Sequence, residues 1–117
     1  MKKELKEKWL KALRGGRYTQ GKHHLKRATP PWITGPAYCC LGVLCDLIHK
    51  DEWAKRSTGI FRPHYNFAYK GAVTDALIPT KLLVELAIPA PFQGLLARKN
   101  DNGETFEMIA TYIEENL

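Results

Sequence analysis

The chain has 117 residues, 44% of them hydrophobic and 26% charged, a balance that fits one soluble globular domain and excludes a disordered segment. Its net charge is +6, and two of its three cysteines are adjacent, which argues against a secreted disulfide framework because neighbouring cysteines bond only under strain. No apolar run approaches the roughly 20 residues of a spanning helix, and MKKELKEKWLKAL lacks the apolar core of a signal peptide, so a cytoplasmic protein without membrane contact is expected.

Residues 2–14 predict an amphipathic helix. Leu5, Trp9, Ala12 and Leu13 recur at spacings of three and four, Lys and Glu fill the other face, and Glu4–Lys8 and Glu7–Lys11 are favourable i,i+4 pairs. Gly15 and Gly16 stop the helix, with Arg14 in its last turn. Residues 15–37 are rich in Gly and Pro and predict a loop, tied to the core by Tyr18, Leu25, Trp32 and Ile33. A loop of that length in a small domain is often functional.

Residues 38–49, YCCLGVLCDLIH and its flank, predict a helix that is apolar on most sides and therefore central. Residues 50–78 scatter Trp53, Phe61, Tyr65, Phe67 and Tyr69 among polar residues and predict irregular chain with a short helix near 51–55. Pro79 opens a helix that ends before Pro89. Residues 93–99 fit a short strand or a helix end, Asn100-Asp101-Asn102-Gly103 a turn, and Thr105 the cap of a last helix whose stripe is Phe106, Ile109, Ala110, Ile113 and Leu117. The expected fold is mainly α: a compact single-domain helical protein (residues 1–117) around the central apolar helix. A short β-hairpin within residues 60–100 would make it a small α+β domain.

Charge is unevenly spread, at +8 over residues 1–27, +3 over 28–100 and −5 over 101–117. Either the basic N-terminal part meets an anionic partner, or the first and last helices lie together and neutralise each other. The segment from Arg14 to Arg27 is the candidate site. Arg14, Arg17, Lys22, Lys26 and Arg27 supply cations, with His23 and His24 beside them. Gly15, Gly16 and Gly21 let backbone N–H groups approach a ligand, Tyr18 offers a stacking face, and Gln20 both donates and accepts. That set suits a nucleotide or a nucleic-acid backbone, although the sequence has no phosphate-loop or dinucleotide fingerprint.

Cys39, Cys40 and Cys45 sit in apolar surroundings without paired ligand spacing, so they read as small hydrophobes rather than as metal ligands or nucleophiles. Asp46 is the polar exception of its helix, and if buried it needs a donor such as Tyr18, Lys22 or a loop N–H.

Three stretches, KWLKALRGGRYTQGK, YCCLGVLCDL and NDNGETFEMIATYIEENL, resemble segments of small uncharacterised proteins encoded by tailed bacteriophages and prophages. The resemblance implies a small accessory protein in the host bacterial cytoplasm, of the kind that modifies or blocks host systems, antiviral defence among them. Together with the basic segment, it leads to the expectation of a non-enzymatic binding protein, without cofactor or metal, that captures an anionic ligand such as a nucleotide signal through Arg14, Arg17, Tyr18, Gln20, Lys22, His23, Arg27 and Asp46. A homo-oligomer with a pocket between subunits fits that expectation. The alternatives are an inhibitor of a host nucleic-acid-binding complex in the manner of anti-CRISPR proteins, a direct nucleic-acid binder, and a cysteine-dependent enzyme.

Overall fold

The structure, a computed structural model, describes residues 1–29, 35–55 and 64–117. Among them are five α-helices, a 3-10 turn and six short strands: α1 (Lys3–Arg14), β1 (Thr19–Gln20), β2 (Lys26–Arg27), β3 (Ala37–Tyr38), α2 (Cys40–Ile48), the turn Lys50–Glu52, β4 (Trp53–Lys55), β5 (Tyr65–Tyr69), β6 (Ala72–Thr74), α3 (Thr80–Glu85), α4 (Ala90–Asp101) and α5 (Phe106–Asn116). Two small sheets make this a small α+β domain, the variant allowed for above, and correct the expectation of a mainly α fold around a central helix. Trp32, Ile33 and Phe61 lie outside the described residues.

The first sheet grows from the segment read as loop. Its order is β1-β3-β2, with β1 parallel and β2 antiparallel to β3, and Tyr38 faces both Gln20 and Lys26 in register. The second is the antiparallel meander β4-β5-β6, in the region expected to be irregular. Two local features produce it. Tyr65-Asn66-Phe67-Ala68-Tyr69 alternates aromatic and small or polar residues with the period of a strand. Lys70 and Gly71 both have positive φ (47° and 85°), which is the two-residue hairpin turn whose twist matches its strands.

The helices follow the sequence more closely. α1 buries Trp9, Leu10 and Leu13, and the Trp9 indole Nε1 donates to the Cys40 carbonyl at 2.9 Å. Thr105 caps α5 by accepting from the Met108 N–H. α4 is a full helix where a short strand or helix end was expected, because Pro91 occupies its first turn, where a missing N–H costs nothing. α2 is buried along residues 40–46 and packs on α1 and α4, whereas α5 packs on α1 and α4 rather than forming a third layer on α2.

Candidate functional site

The stretches KWLKALRGGRYTQGK, YCCLGVLCDL and NDNGETFEMIATYIEENL meet at one buried junction. Asn100, fully buried at the end of α4, donates from Nδ2 to the Gly21 carbonyl at 2.7 Å. Its Oδ1 accepts from the Cys40 N–H at 3.2 Å and from Gln20 Nε2 at 3.0 Å. Gln20 also donates to the Glu104 carbonyl and accepts from the Phe106 N–H, which ties the loop to the start of α5. Leu25, fully buried, passes directly over Gly42, where a Cβ would overlap its carbonyl oxygen. That same carbonyl accepts from the Cys39 N–H at 3.2 Å. Gly42 is therefore needed for close approach of the loop to α2.

This junction redistributes the expected site residues. Gln20 is committed to protein partners. Arg14 turns to α5, with Nε at 3.3 Å from Glu107 and Nη2 at 3.2 Å from Glu114. Lys6 adds a bond to the Glu114 carbonyl at 3.3 Å, so the first and last helices do neutralise part of each other's charge. His23 donates its N–H to Asp101 at 2.8 Å and holds its ring 3.5 Å from the same carboxylate. Arg27 donates to the Lys22 carbonyl at 3.3 Å, and Lys22 itself is exposed beside Gly103. The eight residues do not gather into one pocket.

Arg17, Tyr18 and Asp46 do gather. A groove of about 380 Å³ runs between the C-terminal half of α1 and the end of α2, with Lys8, Lys11, Arg17, Tyr18, Ala12 and Leu47 along it. A second hollow of about 350 Å³ shares Arg17, Tyr18 and Leu47 with it and adds Asp46 and Lys50. Among the described residues Lys8, Lys11 and Arg17 form no ion pair. The pair on α1 is Lys3–Glu7 at 3.9 Å, not the expected Glu4–Lys8 and Glu7–Lys11. Positive charge is therefore concentrated along one groove without internal partners.

The floor of this region is polar and satisfied. Asp46, 8% exposed, accepts from Tyr18 Oη at 2.7 Å and from Trp53 Nε1 at 3.0 Å, one donor for each carboxylate oxygen. Lys26 Nζ lies 4.5 Å from the Tyr65 ring centre, 5.2 Å from Trp53 and 5.5 Å from Tyr38. Three π faces stabilise that ammonium. Burial lowers the Lys26 pKa, against the pull of Asp46. Burial, together with the bond to Asp46, pushes the Tyr18 phenol up to about 12, and burial raises Tyr38 further. Both phenols are thus uncharged donors at neutral pH.

The thiols stand apart from this chemistry. Cys39, Cys40 and Cys45 are all buried and free, and burial pushes the Cys39 thiol up to about 11 and the other two well above their ordinary value. None is a thiolate at neutral pH. Cys39 instead caps α2, its Sγ accepting from the Gly42 N–H at 3.4 Å.

The whole chain, residues 1–117, matches the family described as Domain of unknown function (DUF8296). The chain belongs to that family. No curated protein and no solved structure matches this DUF8296 chain. Among its described residues no helix is long and apolar enough to cross a membrane.

Sequence reasoning missed Lys8, Lys11, Leu47 and Lys50 as groove residues. The available signal was helical spacing: Lys8, Lys11, Ala12 and Gly15 follow i, i+3, i+4, i+7 and so share one face of α1. Leu47 and Lys50 are brought to that face by the packing of α1 on α2, which spacing within a single helix does not give.

Proposed function

We propose that this protein is a phage-encoded, non-enzymatic binding protein that captures an anionic ligand of nucleotide type, and so counters a host antiviral system. One observation carries the reading: the α1–α2 groove brings the unpaired cations Lys8, Lys11 and Arg17 to one edge of Tyr18 and Leu47. Cations meet phosphate, and the aromatic ring with its aliphatic neighbour offers a surface for a base. Asp46 does not oppose an anion strongly, because two donors already occupy its carboxylate. The neutralised Arg14 and the satisfied Gln20 belong to the scaffold, so the binding residues are Arg17 and Tyr18 of the original set, joined by Lys8, Lys11 and Lys50. The phage origin and the antiviral context rest on the resemblance of the three sequence stretches.

Calorimetry and thermal shift against mono-, di- and cyclic nucleotides test the reading. Saturable binding is expected, lost in a Lys8→Glu/Arg17→Glu variant that still melts like the parent. Absence of binding to every nucleotide, with recovery of a host protein complex in pull-downs that the same charge reversal abolishes, moves the groove to the inhibitor reading. Direct binding to random DNA or RNA is a third outcome. Four groove cations limit its salt dependence to a log–log slope of about −3 to −4.

A further inference from the structure

At the other end of the same loop, three side chains bring one potential ligand atom each to the same place. His24 precedes β2, His64 precedes β5 and Asp75 follows β6. One ring nitrogen from each histidine and one carboxylate oxygen of Asp75 all lie within 4.8 Å of one another. The two imidazoles are stacked, with centres 4.2 Å apart and planes 3° from parallel. His24 Nδ1 and His64 Nε2 are buried and make no hydrogen bond, although His64 Nε2 stands 3.1 Å from Asp75 Oδ2. The two buried ring nitrogens without a hydrogen bond, His24 Nδ1 and His64 Nε2, are costly, and a cation held between them beside Asp75 relieves that cost.

The backbone fixes the arrangement independently of these side chains. The Leu25 N–H donates to the Asp75 carbonyl at 2.7 Å, which holds the residue after His24 against the end of β6. Arg27 pairs with His64 in an antiparallel bridge, and Phe67 pairs with Thr74 in the second sheet. Three ligands from three chain segments are thus held at one seam between the two sheets. His23, its neighbour in sequence, has φ 71° and turns the other way, to Asp101.

The geometry points to a metal site formed by His24, His64 and Asp75 that takes a divalent transition ion of borderline softness, with a fourth position left for water or a ligand. Two imidazoles and one carboxylate are a donor set that suits zinc and its neighbours. Tetrahedral zinc wants donor atoms roughly 3.3 Å apart at bonds of about 2.0–2.1 Å. The present spacing reaches that by a tilt of the two rings out of their parallel stack. The ion would clamp the loop carrying Tyr18 and Lys26 to the β5–β6 hairpin. It is distinct from the thiols, none of which joins a ligand cluster among the described residues.

The full-length chain, stripped of metal by a chelator, is titrated with Zn²⁺ by calorimetry and with Co²⁺ by absorption spectroscopy. One ion per chain is expected, with cobalt d–d bands and no thiolate-to-cobalt charge-transfer band. His24→Asn and His64→Asn each abolish stoichiometric uptake, whereas His23→Asn binds as the parent does. Circular dichroism and melting of the metal-free variants show whether they fold, and the bridging backbone bonds do not depend on the replaced side chains. If either variant fails to fold, the parent's cobalt spectrum decides by itself. Uptake of less than one ion by the parent, a thiolate charge-transfer band, or stoichiometric binding by a folded His24→Asn/His64→Asn double variant would overturn the site.

Discussion

Arg14 folds back onto α5, where Glu107 and Glu114 flank its guanidinium at 3.3 and 3.2 Å, whereas Arg17, three residues later, faces an open groove with Lys8 and Lys11. The same contrast divides the whole loop. Around Gln20, Gly21 and Leu25 the chain is stitched to α2, α4 and α5 by bonds that use nearly every polar atom. Around Arg17 and Tyr18, Lys8, Lys11 and Arg17 form no ion pair among the described residues, whereas the floor is satisfied. A closed junction therefore holds an open, charged face in position. Residues of the first kind should control stability, and residues of the second kind should control binding.

The strongest attack on the closed side is Gly42→Ala. The new methyl overlaps the Leu25 carbonyl, which is backbone and also holds the Cys39 N–H, so the loop must move. A loss of at least ~3 kcal/mol is expected in urea denaturation, at or beyond the upper end of ordinary overpacking. A change under ~1 kcal/mol would show that the loop is not clamped there. Asn100→Ala comes next. It leaves the Gly21 carbonyl and the Cys40 N–H without their partner in the interior. Each orphaned group costs about 1–3 kcal/mol, so a total near 3 kcal/mol is expected by the same measurement.

Tyr18 sits on the boundary of the two regions and links them through Asp46. Tyr18→Phe removes a hydrogen bond to a carboxylate at a half-buried site, and a loss of about 1.5 kcal/mol is expected, the low end of the range for charged partners. The sign with pH is fixed by the raised phenol. The native group keeps its proton to about 12, while the unfolded one releases it near 10.0. The native state therefore binds the extra proton in between, so the Tyr18 contribution is complete below about 10 and is lost as pH rises through about 12. Ultraviolet titration of the parent against Tyr18→Phe checks it, and a difference spectrum titrating near 10 would mean that the phenol is not held by Asp46.

Helices were the legible part of the fold, because a period near 3.6 is visible within one segment: Trp9 and Leu13 in α1, Ile109 and Ile113 in α5. The cysteine helix was also read as buried, from its lack of a polar face. The β5–β6 hairpin falls within residues 60–100, where a short hairpin was allowed for, but the first sheet was not legible, for two reasons. β1, β2 and β3 are two residues each, too short to show any period. Their pairing depends on Tyr38 meeting two partners distant in sequence. The candidate site was half legible. Tyr18–Asp46 was foreseen because a buried carboxylate demands a donor. That Arg14 and Gln20 spend their donors on protein partners was not legible, because residue type alone does not separate a free donor from one used to join helices. Only the approach of α5 does that.

The gentlest test returns to the two arginines, because the comparison predicts opposite phenotypes for one change made three positions apart. Arg14→Gln removes an ion pair with Glu114 and Glu107 that lies at the surface, and the hydrogen bond and charge of Glu114 are what raise the Arg14 pKa. Exposed pairs of this kind contribute little, and that little is screened by salt. A small drop in melting temperature is therefore expected at low ionic strength, vanishing at high salt, with anion binding untouched. Arg17→Gln has no ion pair to lose among the described residues, so the melting temperature should not move at either salt concentration. Its effect should appear only in binding, as a weaker association with the nucleotide probe and a shallower salt dependence, by about one unit of slope for each phosphate contact removed. If the two substitutions exchange these phenotypes, the groove is not the anion site. If both act only on stability, the open face is a solvated surface and the loop serves α5 alone.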